Sequence, residues 1–62
     1  MIKEWLTDLY EGELEEVKSA ISNERVWVLG SSTREEELMH RNNIFELEVY
    51  KGVLLRLIEQ LK

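Results

Sequence analysis

Gly30-Ser31-Ser32-Thr33-Arg34-Glu35-Glu36-Glu37 is the one interruption in a 62-residue chain that contains no proline. A glycine closing an apolar run suits a left-handed helix C-cap. The hydroxyls after it suit a helix start. Ser32 with Glu35, or Thr33 with Glu36, makes a capping box, and the three glutamates lie at the positive end of the helix dipole. One helix stops here and another begins. The expected fold class is all-α, a two-helix antiparallel hairpin forming one domain over residues 1–62. Helix 1 is expected over 2–29, the turn over 30–32 and helix 2 over 33–62.

Upstream of the break, Ile2, Leu6, Leu9, Tyr10, Leu14, Val17, Ile21 and Val28 recur mostly at spacings of three and four, which places them on one helical face. Asp8, Glu11, Glu15, Lys18 and Ser22 take the opposite side together with Gly12. Val26-Trp27-Val28-Leu29 has strand-like composition. With no second strand to pair with, it reads as the last turn of helix 1.

Downstream, helix 2 carries two adjacent apolar seams. Ile44, Leu47, Leu54, Ile58 and Leu61 form one; Met39, Tyr50, Val53 and Leu57 form the other. The arc exceeds the ~100° stripe that a helix buries on a single neighbour. Helix 1 can cover one seam only. A chain of this size buries only about 60% of its unfolded surface and needs a staple. It has no cysteine, so neither a disulfide nor a thiolate zinc site supplies one. Oligomerisation remains. The expected closure is a two-fold dimer forming a four-helix bundle, with Met39, Tyr50, Val53 and Leu57 at the interface. Three- and four-chain bundles use the same seams.

Composition narrows the function. Thirteen acids against eight bases repel nucleic-acid phosphate. No apolar run approaches the roughly 20 residues of a membrane span, and acids interrupt the N-terminal stretch where a signal peptide needs an apolar core. The expectation is a soluble cytoplasmic protein with no nucleic-acid or membrane partner. Isolated glycines offer no phosphate loop. A single histidine would have to serve as base for any Ser31, Ser32 or Thr33 chemistry, and those hydroxyls are better used as caps. A hairpin also lacks the concave pocket that small molecules need. Neither catalysis, a small-molecule substrate nor a cofactor is expected.

Three constellations remain. Glu4, Asp8, Glu11 and Glu15 follow one another at i+4, i+3 and i+4, an acid ladder that is either a solvated face or a contact surface for a basic partner protein. Helix 1 holds seven acids and three bases, against six and five in the second half, so an electrostatic contact would use helix 1. Trp5 and Trp27 stand at its two ends as packing residues or partner contacts. Glu37-Leu38-Met39-His40 is a Glu-x-x-His pair of the kind found in dimetal carboxylate bundles, with Glu24 at a similar distance from the turn. An antiparallel dimer would separate the two copies, so this set reads first as a partly buried, hydrogen-bonded histidine and only last as a metal site. Asn43 lies beside the second seam, where an amide is either exposed or fixes chain register.

The approach Asn23-Glu24-Arg25-Val26-Trp27-Val28-Leu29-Gly30, followed by His40-Arg41-Asn42-Asn43-Ile44 in an acidic helical chain, resembles short bacteriophage or prophage reading frames. The resemblance implies a host-directed role in the host cytoplasm: inhibiting or modulating a host enzyme or defence system by occupying a binding surface. A structural or scaffold subunit of a helical assembly is the alternative.

Overall fold

A computed structural model describes all 62 residues. It contains two helices and no strand: α1, Ile2–Gly30, and α2, Arg34–Leu61. They pack antiparallel into a rod whose Cα extents are 49 × 14 × 11 Å. α1 runs unbroken through Gly12 and through Val26-Trp27-Val28-Leu29.

The turn differs from expectation in one detail. Gly30 is the last helical residue of α1, and no residue in the chain has positive φ. The chain leaves the helix through Ser31 in an extended conformation (φ −66°, ψ 134°). The Ser31 hydroxyl donates to the Trp27 carbonyl at 2.8 Å and its amide donates to the Val28 carbonyl at 3.3 Å. Those two bonds satisfy carbonyls that a left-handed glycine would otherwise have served. On the far side, Thr33 Oγ1 accepts the Glu36 amide at 3.2 Å. The Glu36 carboxylate reaches back past Thr33 to accept both the amide and the hydroxyl of Ser32, each at 3.2 Å. This is a capping box with its return arm displaced by one residue.

The core is small. Leu14, Val17 and Ile21 of α1 meet Leu54 and Ile58 of α2, with Tyr10, Ile44 and Leu47 packed around them. The first seam of α2 therefore faces α1, with Leu61 half-buried at its end. Two residues assigned from spacing to the inner face of helix 1 lie outside it: Ile2 and Leu9 are exposed. Leu9 precedes Tyr10 by one residue, which turns it about 100° away from the line through Tyr10, Leu14, Val17 and Ile21.

Candidate interaction surfaces

Helical register and four cross-helix contacts define the two broad sides of the rod. Tyr50 on α2 donates its hydroxyl to Glu13 on α1 at 3.3 Å. Nearer the turn, Asn43 Nδ2 donates to Glu24 at 3.4 Å, and Trp27 stacks on His40 with ring centroids 5.9 Å apart. These contacts mark one broad side. Arg25 and Glu48, 3.6 Å apart, mark the other.

On the first side the second seam of α2 stays open: Met39, Tyr50 and Val53 are exposed and Leu57 is half-buried. The adjoining flank of α1 carries Ile2, Trp5 and Leu9, spaced three and four apart and all exposed. Because the helices run antiparallel, moving from Tyr50 to Leu57 moves toward the start of α1. Val53 and Leu57 thus lie beside Leu9 and form one apolar patch with it at the end of the rod opposite the turn. Tyr50 sits where this patch meets the acids. Partial desolvation, then the charges of Glu13 and Glu16, raises its phenol above the ordinary value.

At the turn end, His40 Nδ1 lies 2.6 Å from Glu24 Oε2, with both side chains mostly out of water. A carboxylate only accepts, so Nδ1 carries the proton. Trp27 covers the imidazole while remaining 60% exposed itself. Glu37 does not join the pair. Its carboxylate takes two hydrogen bonds from Arg41, at 3.0 and 3.1 Å. The fold thus unites two of the three residues Glu24, Glu37 and His40, and no group of three or more metal-ligating side chains forms.

The acid ladder of α1 lies on a different flank from the patch. Glu4, Asp8, Glu11 and Glu15 are all exposed, and Glu15 meets Lys18 at 3.6 Å. Trp5, 63% exposed, belongs to the patch rather than to the ladder. The second broad side is polar. Lys18, Arg25 and Lys51 surround Glu48, lining a shallow depression of about 200 Å³ with Ile21 and Ser22. A second depression, of about 350 Å³, lies between Arg25, Val28, Leu29, Arg41 and Ile44.

A third apolar direction on α2 lies outside both seams expected from spacing. Leu38, Phe45 and Val49 are spaced seven and four apart, face away from α1 and are exposed, Phe45 by 67%. Their spacing was legible, but a two-seam reading left no place for it. No helix is long and apolar enough to cross a membrane. Compared with protein-family models, curated proteins and solved structures, the chain matches none.

Proposed function

We propose that this chain is a non-enzymatic protein-interaction module. It acts as a homodimer, closed as a four-helix arrangement, and inhibits or modulates a second protein in the cytoplasm through its acidic flank. One observation carries the reading. Five side chains are buried, whereas fourteen large apolar ones are exposed. Isolated exposed leucines are ordinary, but contiguous patches of this kind mark contact surfaces. Each such side chain contributes about 1.5–3 kcal/mol when fully buried, so a handful from each chain outweighs an association cost of roughly 4–15 kcal/mol.

The acidic flank supports the second half of the proposal. Asp8 and Glu11 make no ion pair, while Glu4 meets the Met1 amine at 3.7 Å and Glu15 meets Lys18 at 3.6 Å; the patch lies on another flank, so pairing leaves the ladder in water. A row of exposed carboxylates, with Asp8 and Glu11 unpaired at its centre, steers a basic partner surface toward it. The non-enzymatic assignment draws on His40, the only imidazole, which is bonded to Glu24 and covered by Trp27 rather than presented to a substrate.

Sedimentation equilibrium tests the first half: a mass of two chains is expected at micromolar concentration, and a folded single chain refutes it. Affinity capture with the triple variant Asp8→Lys, Glu11→Lys, Glu15→Lys tests the second. The variant should keep its helicity and dimer mass while losing a stoichiometric partner held by the native chain. Retention of that partner would refute the acidic contact.

A further inference from the structure

Resting on the dimer reading above, we infer that the occupant of the open apolar side is a second copy of this chain, paired antiparallel over the ends opposite the turns rather than along the full rod. The side is divided along its length. Its open-end half is apolar, with Ile2, Trp5 and Leu9 beside Val53 and Leu57, and Tyr50 at the border. Its middle is acidic: Glu13 and Glu16 project from α1, and Glu46 projects from α2 one turn before Tyr50. Asn42 and Asn43 continue the polar belt, and only then do Trp27 and Met39 follow near the turn.

That belt decides the register. A two-fold pairing centred on the middle of the rod sets Glu13, Glu16 and Glu46 of one chain against the same three of the other. A parallel pairing does likewise. No base relieves them, because Lys18 and Arg25 are engaged with Glu15 and Glu48 toward the polar side. Like charges facing each other across an interface oppose association. Moving the two-fold axis to the level of Leu9 removes the conflict. Each apolar half then covers its counterpart: Glu13 falls opposite the partner's Trp5, Glu16 opposite the partner's Ile2 at the rim, and Glu46 at the partner's end, so none of the three acids faces another.

The size of the patch fits a paired copy. The exposed fractions of Ile2, Trp5, Leu9, Tyr50 and Val53 correspond to roughly 500 Å² per chain at ordinary side-chain areas. With its rim, that approaches the ~800 Å² per partner of a stable dimer, and by itself it stands in the upper part of the ~300–600 Å² range of a monomer's largest apolar patch, which is often a functional surface. The turn ends, with Trp27, Met39 and the His40–Glu24 pair, project outward at both extremes of an elongated particle.

The chain has no cysteine, so Glu35→Cys places one spin label per chain at an exposed position beside the turn. At 1.5 Å per residue, the offset pairing puts the two labels about 70 Å apart, full-length antiparallel overlap about 50 Å, and a parallel pair within about 25 Å. Sedimentation on the same sample reports mass. Two chains with the long distance establish the offset pairing. Two chains with either shorter distance overturn the register and leave the dimer standing. A single-chain mass, or a mass other than two chains, overturns both. Val53→Glu should weaken association at least tenfold, whereas Met39→Glu, slightly more exposed but beyond the belt, should leave it within twofold. Equal effects would count against the offset.

Discussion

Leu54→Ala is the sharpest test of how α2 is rotated against α1. Leu54 is 2% exposed, the most deeply buried side chain in the molecule, and packs with Leu14, Val17, Ile21 and Ile58. Truncation removes three carbons, about 2.4 kcal/mol at ~0.8 kcal/mol per buried methylene. A rigid cavity would add up to about 2 kcal/mol at ~24 cal/mol per Å³. Two helices have no third wall to hold such a cavity open, so the site should close partly and the expected loss is about 2.5–3.5 kcal/mol. That is most of the 3–5 kcal/mol that a core of this size supplies. With a urea dependence near 1 kcal/mol/M, the midpoint should fall by about 3 M. Circular dichroism at 222 nm, with urea series at several matched chain concentrations, separates this loss from weakened association. Leu55→Ala is the control: one residue on, 45% exposed, it should cost under about 1 kcal/mol. Equal losses, or a larger loss at Leu55, would mean that the first seam does not face α1.

Three further outcomes follow from particular residues. Gly52→Ala should stabilise the fold by about 0.5–1 kcal/mol, because a Cβ there meets nothing within 4 Å and the backbone is already helical; an unchanged or lower melting temperature would contradict this. His40→Ala should cost about 1–3 kcal/mol by leaving Glu24 with Asn43 alone and unstacking Trp27, and a blue-shifted Trp27 emission, rather than the expected red shift, would argue that the indole does not rest on the imidazole. Tyr50 has its phenol pKa raised by partial desolvation and by Glu13 and Glu16, so the folded state holds its proton longer than the unfolded chain; this contribution to stability is full below the ordinary phenol pKa and is lost as pH rises through the raised one. In a Tyr10→Phe background, absorbance at 295 nm should show Glu13→Gln lowering that pKa, and no change on the substitution would remove Glu13 as a cause.

The turn and the first seam were legible because both rest on local rules. Thr33 and Glu36 are three residues apart, and their hydroxyl and carboxylate find backbone partners within the same turn. Leu54 and Ile58 are i, i+4 neighbours, and any helix places them together. The Gly30 cap failed for an equally local reason: Ser31 carries a hydroxyl that serves the Trp27 carbonyl, so the backbone need not turn left-handed. Ile2 and Leu9 were misplaced because spacing was counted without its angular direction. The alliances of Glu24 needed information that spacing does not hold. His40 and Asn43 lie sixteen and nineteen residues away, and which of the nearby carboxylates each meets depends on how the helices slide past one another. Arg41, one turn from Glu37 on the same helix, claims that carboxylate before any residue of α1 can.

The asymmetry between the helices bears on the proposed pairing. α1 buries one stripe, offers one apolar flank at its start, and otherwise presents acids. α2 carries apolar side chains in three directions: Leu54 and Ile58 toward α1, Tyr50 and Val53 on the open broad side, and Phe45 and Val49 on its back. A helix with apolar side chains in three directions cannot cover them all against a single neighbour. The proposed pairing through the open-end patch would bring a second hairpin against both helices while the acid ladder of each α1 stays in water. Charge points the same way for one flank: α1 holds seven acids against three bases, and its exposed acid ladder gains by staying solvated. Hydrophobic surface and charge thus both favour, for the proposed pair, an interface that leaves the acid flank of α1 in water. A pairing that buried the ladder and left Val53 and Leu57 in water would have to overcome both.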